Sequence, residues 1–152
     1  MNILITLPKN LIDCIVRGEK LYEMRKSFPR LMHLGEDGFF AVEKGSSNVR
    51  CWCRVDDIMY TNIKDLGESW LVTRLCVDKE YIRRYAMNRK VYLWKIGKVI
   101  ELSDLDRSSL FVERNPQQYA YCPLSYGESY WIMILIYELW PTTIFTLPLV
   151  LL

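Results

Sequence analysis

The sequence predicts an α+β fold, and three observations carry that expectation. An unbroken apolar run at residues 2–7 reads as a buried strand. Strict alternation follows later, where Val49, Cys51, Cys53 and Val55 interleave with Arg50, Trp52, Arg54 and Asp56. Between and after these stretches the spacing turns helical, at residues 11–16 and again at 64–88.

Taken in order, the first strand gives way at Pro8, whose missing N–H is harmless in the first turn of a helix. Leu11, Ile12, Ile15 and Val16 recur at helical spacing, and Gly18 stands where a helix C-cap is expected. A charged strand from Leu21 to Lys26 comes next, and Pro29 ends it. Phe39 to Val42 reads as a strand. Gly45-Ser46-Ser47-Asn48 is a hairpin turn signal leading into the alternating strand at Val49 to Asp56. Trp70, Leu71, Arg74 and Leu75 share one helix, and Asp78 caps a second in which Tyr81, Ile82 and Tyr85 share a face. Arg83, Arg84, Arg89 and Lys90 form its basic flank, which reads first as a solvated face. Val91 to Ile96 is a further strand running towards Leu102. A short helical turn is expected from Ser103 or Asp104, and Pro116 keeps the segment Arg114 to Tyr119 a loop.

At 152 residues, 51% of them hydrophobic and 25% charged, the chain has room for a packed core and is not a disordered polymer. The net charge of +2 neither requires nor excludes nucleic acid as a partner. Ten tyrosines and five tryptophans serve cores and base-stacking platforms alike. Five cysteines at irregular spacing, with no signal-peptide pattern, fit free thiols in a reducing cytoplasmic setting. Cys51-Trp52-Cys53 lacks the second pair that structural zinc sites use, and His33 is the sole histidine. No metal and no cofactor is expected.

The last segment, Trp131 to Leu152, carries one charge, Glu138. Its length and apolarity match a membrane span of roughly 20 residues. Pro141, Pro148 and Glu138 favour a strand–turn–strand in a core or an interface instead, with self-association or a protein partner at residues 130–152 as a consequence.

Chemistry concentrates near the start, in Gly18-Glu19-Lys20-Leu21-Tyr22-Glu23-Met24-Arg25-Lys26. On a strand, Tyr22 and Met24 point one way while Glu23 and Arg25 point the other, with Lys20 at the turn beside the charged face. Arg offers a planar fork to phosphate, Lys a point charge, and Glu an acceptor for a base amino group. A plain surface ion-pair set is the competing reading. Arg50, Trp52 and Arg54 also stand open to two readings: a base stacked on an exposed indole between cations, or an indole packed under a helix and covered by Arg stems.

Leu7-Pro8-Lys9 with Ile12 and Ile15, followed by the run 18–26, resembles the signature of ASCH domains in the PUA-like superfamily: strand, helix, then G-E-K-x-x-E-x-R-K. Val91 to Lys95 and Pro116-Gln117-Gln118-Tyr119 resemble that family's C-terminal strand and closing segment. The resemblance covers residues 1–123 and leaves 124–152 as an apolar C-terminal extension. It implies a small mixed PUA-like β-barrel with flanking helices. It further implies a regulatory module, involved in transcription or RNA metabolism, that binds RNA or a nucleotide in a cleft beside the G-E-K strand. Lys20, Glu23, Arg25, Lys26, Arg50, Trp52 and Arg54 are the candidate binding residues, with no catalysis required. Two alternatives remain. One branch of the family is an amidohydrolase of acetylated cytidine that uses a Lys, a Thr and a Glu. Lys20 matches the Lys, Glu23 occupies the Thr position, and Lys20 with Glu23 would be the acid–base pair. The other alternative is an interaction module docking through the apolar C-terminus, of the kind found as phage-borne modulators of host nucleic-acid machinery.

Overall fold

A computed structural model describes residues 1–123. The expectations for the C-terminal extension lie outside these residues. Strand β1 (Ile3–Leu7) leads into helix α1 (Lys9–Val16) and the short strand β2 (Tyr22–Arg25). A hairpin of β3 (Gly38–Glu43) and β4 (Asn48–Thr61) follows. Three helices, α2 (Ile63–Leu66), α3 (Glu68–Leu75) and α4 (Lys79–Ala86), precede the long strand β5 (Val91–Asp106). A 3-10 turn at Arg107–Leu110 and a two-residue strand, β6 (Ala120–Tyr121), complete the order. Among the described residues no helix is long and apolar enough to cross a membrane.

Among the described residues six strands make one mixed sheet in the order β2-β5-β4-β3-β1-β6, in which β1 and β3 run parallel and the other neighbours antiparallel. Its backbone is a half-barrel, and the bending has a local cause. β4 and β5 pair from Asn48↔Asp106 to Thr61↔Val91, and their register shifts between Val49 and Cys51, Cys53 and Val55, and Val55 and Asp57. Each bulge adds twist and turns the strand pair. Two glycines allow the close approaches: a Cβ at Gly38 would lie 2.0 Å from the Cys53 carbonyl oxygen, and one at Gly97 would lie 2.3 Å from the Asp56 carboxylate.

Alternation sorts the apolar side chains into three cores. Ile3, Ile5, Phe39, Ala41, Cys51, Cys53, Val55 and Trp94 face inward, and Ile12 and Ile15 of α1 close over them. Pro8 is the N-cap of α1, and Gly18, at φ +74°, ends it by donating to the Ile15 carbonyl at 2.9 Å. The opposite face is buried as well. Leu4, Phe40, Val42, Val49 and Trp52 are covered by Leu105, Leu110, Val112 and Cys122. A third core joins Met24, Val91 and Leu93 to Ile63, Leu71, Leu75 and Ile82 of the three middle helices.

Two expectations are corrected. The alternating strand does not stop at Asp56 but runs to Thr61. The helical turn begins at Arg107, not at Ser103 or Asp104. Asp104 is a single left-handed residue (φ +57°) inside β5, and Asp106 is the cap.

A charged cluster on the wall of a cavity

The backbone around β2 fixes which way its side chains point. Leu21 N–H donates to the Arg74 carbonyl at 2.8 Å, and the Leu21 carbonyl accepts from Ile96 N–H at 2.9 Å. β2 then pairs with β5 in the register Tyr22↔Lys95 to Arg25↔Tyr92. Tyr22 and Met24 pack into the helical core. Lys20, Glu23 and Arg25 gather together at one cavity, and each is less than a tenth exposed.

Glu23 sits between two cations. Lys20 Nζ is 3.2 Å from Glu23 Oε2, and Arg25 Nε is 2.8 Å from Glu23 Oε1, close enough for an ion pair although Nε makes no hydrogen bond among the described residues. Lys20 Nζ also donates to the Leu75 carbonyl at 2.8 Å, satisfying an oxygen of the last residue of α3 at the negative end of the helix dipole. Arg25 Nη1 donates to the Gln118 carbonyl at 3.2 Å and Nη2 to the Thr6 carbonyl at 3.4 Å. An ammonium has three N–H groups and a guanidinium five, so both cations keep donors beyond these contacts.

The cavity holds about 410 Å³, within the range of small-ligand sites. Thr6, Leu7 and Pro8 form one side, Gln117 and Gln118 another, and Lys44 stands at its rim. Tyr81 and Tyr85 of α4 make an aromatic wall, with ring centroids 6.0 Å apart and planes at 16°. Burial raises the pKa of both phenols; for Tyr81 the Glu23 charge adds to that and Arg25 opposes it. Both hydroxyls are therefore protonated donors at neutral pH. The four-residue spacing of the tyrosines shows that they share a helix face, but nothing in the sequence says that this face meets β2.

The remaining candidates lie elsewhere. Lys26, next along the strand, holds its ammonium 5.1 Å over the Tyr85 ring and lines a neighbouring basin. Arg50 is spent on Glu43 at 3.1 Å and Asp13 at 3.4 Å, and Arg54 on Asp56 at 2.6 Å. Trp52 is 4% exposed, and its Nε1 donates to Asn2 Oδ1 at 3.1 Å. The stacking reading of Trp52 is thus corrected: its ring is a core residue of the covered outer face, and the Arg50–Trp52–Arg54 strip does not join the Lys20 cluster.

Cys51 and Cys53, the pair weighed for zinc, point into the inner core with sulfurs 3.8 Å apart. The donors with metal-like spacing are instead Cys14, Glu19 and Cys76, whose ligand atoms lie within 4.8 Å of one another. Arg17 already clamps both Glu19 oxygens at 2.9 Å, which leaves two thiols short of a tetrahedral set.

No protein-family model matches the chain, and no curated protein does. Solved structures do. The ASCH protein of Zymomonas mobilis superposes with a TM-score of 0.69 over 88% of this chain and 94% of that one, at 16% identity. The chain has an ASCH-type fold. A serine-to-alanine variant of the same protein gives 0.71 at 15% identity, over 88% and 95% of the two chains. A tyrosine-to-phenylalanine variant gives 0.69 at 16% identity, over 88% and 97%. At such identity the ASCH likeness establishes architecture, the half-barrel with its flanking helices, and leaves the role of the cavity to its own chemistry.

Proposed function

We propose that this ASCH-type module binds RNA or a nucleotide, with one base and its phosphate in the cavity beside β2, and acts as a regulatory binder without chemistry of its own. One observation carries the reading: three ionisable side chains, Lys20, Glu23 and Arg25, are buried together on the wall of a cavity faced by a stacked tyrosine pair. Buried ion pairs seldom stabilise a fold more than apolar residues of the same size would. Their position at a cavity wall supports recognition over architecture. Two cations against one carboxylate leave an excess of positive charge, and their spare N–H groups suit a phosphate or a base carbonyl. Glu23 has lone pairs left for an exocyclic amino group. Tyr81, 41% exposed, offers a ring face to a base.

The test is a calorimetric titration of the full chain with short single-stranded RNA at several salt concentrations. Affinity should fall with salt, and Tyr81→Ala should weaken binding by about 1–3 kcal/mol, the worth of one stacked base. Absence of binding, or binding indifferent to Tyr81→Ala, defeats the reading.

A further inference from the structure

A second basin of about 420 Å³ adjoins the first. We propose that it is the subsite for the next nucleotide, so that the ligand is a single RNA strand and not a free nucleotide; this rests on the reading of the first cavity given above.

The two basins are neighbours through the backbone. Arg25 lines one and the adjacent Lys26 the other, while Tyr85 lines one and the adjacent Ala86 the other. The Lys26 ammonium over the Tyr85 ring bridges them. The two basins therefore meet at two points of the backbone, one on either side of the Lys26–Tyr85 contact.

The second basin has the composition that a strand requires. Lys26, Arg89 and Lys90 line it, all three are exposed, and no carboxylate stands among the described lining residues. The same basic flank of α4 is treated differently one turn earlier. Arg83 is neutralised by Glu68 at 2.6 Å, and Arg84 is within 3.9 Å of Glu80. The flank thus divides into a paired half and a half left with free positive charge among the described residues. Free cations at a concave surface are what a phosphate backbone binds.

An aromatic platform accompanies them. Tyr60 is 56% exposed and stacks on Tyr92, with centroids 4.5 Å apart and planes at 26°. Tyr92 in turn lies 5.1 Å from Phe28. Lys90 Nζ lies over the Tyr60 ring, 5.4 Å from its centroid, so a base that stacks on this exposed ring takes the place of the ammonium and brings its phosphate to it.

The basin rim is also held in an uncommon backbone. Met87 (φ +50°) and Asn88 (φ +57°) are two successive left-handed residues. The first of them lacks the side chain that usually tolerates that region. Met87 N–H returns to the Arg83 carbonyl at 3.0 Å and Arg89 N–H to the Ala86 carbonyl at 2.9 Å. The turn so formed sets Arg89 and Lys90 at the mouth of the basin instead of continuing α4.

The experiment measures the affinity of the full chain for adenosine monophosphate and for oligoadenylates of two, three and four nucleotides. It compares the native chain with Arg89→Gln combined with Lys90→Gln, and with Tyr60→Ala. These side chains are exposed, so the variants keep the fold. The native chain should bind the oligomers more tightly than the monophosphate. The double variant should bind the monophosphate as the native chain does, lose roughly tenfold on the trimer, and show a salt slope shallower by about 1.4, the loss of two phosphate contacts to a single strand. Tyr60→Ala should lower trimer affinity alone. Monophosphate binding with no gain from length, or trimer binding unchanged in all variants, overturns the second subsite and leaves the first cavity standing. If neither monophosphate nor oligomer binds, the first reading fails and the second falls with it.

Discussion

Glu23 is the residue on which the site turns, because one carboxylate holds two buried cations. Glu23→Gln keeps the shape but leaves the largely buried Lys20 and Arg25 without their shared carboxylate. The expected loss is about 3–5 kcal/mol, the usual cost of removing one partner of a buried pair. Arg54→Ala breaks a partly exposed pair with Asp56 that solvent screens, and should cost far less. Urea unfolding followed at constant m-value checks both; equal costs would contradict the distinction drawn between them. At this scale the sequence was informative. Glu23 and Arg25 fall on one side of a strand by parity alone, and Lys20 falls beside them by position. Trp52 was not legible. Its neighbours alternate as for a sheet with one buried face, whereas residues 105–122 cover the other face too.

Elements end where side chains satisfy the backbone, and the 3-10 turn after β5 shows how. Asp104 and Asp106 are equally good caps in sequence. Asp106 takes the role because Ser47, just before the start of β4 where that strand pairs with the end of β5, donates its hydroxyl to Oδ2, while Oδ1 accepts from Ser108 N–H at 2.9 Å and Ser108 Oγ at 2.7 Å. The Ser47 bond was invisible to local pattern because its partners are 59 residues apart in the chain. These hydrogen bonds, that from Ser47 foremost, hold the Asp106 pKa down to about 2. Because the folded-state value is depressed, the cap contributes above the ordinary carboxylate range and is lost as pH falls through about 2. An NMR titration of the side-chain carboxyl should give a midpoint near 2. A midpoint near 3.9 would show that the cap is not formed. The reach of β4 to Thr61 was equally hidden, since its bulges break the alternation from which a strand is read.

At the scale of the molecule, the α+β class follows from runs that the chain displays openly: the buried β1, the Gly45 hairpin, and the helical spacing before Val91; the half-barrel was implied by the ASCH resemblance alone, because the bulges that bend β4 and β5 leave no local pattern. The cavity does not. It exists because α4 packs against β2 across a long loop-closure distance, bringing Tyr81 and Tyr85 to Lys20, Glu23 and Arg25 while the 116–118 loop closes the opposite side. The amphipathic pattern of α4 declares an apolar face; what that face meets is decided by tertiary packing. The charge carried by Arg89 and Lys90 acquires meaning only beside the Tyr60–Tyr92 stack, which two separate strands supply.

The most direct trial of the account is an NMR titration of the full chain with a three-nucleotide single-stranded RNA, reading backbone and side-chain shifts residue by residue. The account predicts that the largest changes fall on Lys20, Glu23, Arg25, Tyr81 and Tyr85 and continue through Lys26 to Tyr60 and Lys90. Changes confined to the outer face around Arg54 and the 107–110 turn, or no changes at saturating RNA, would contradict it.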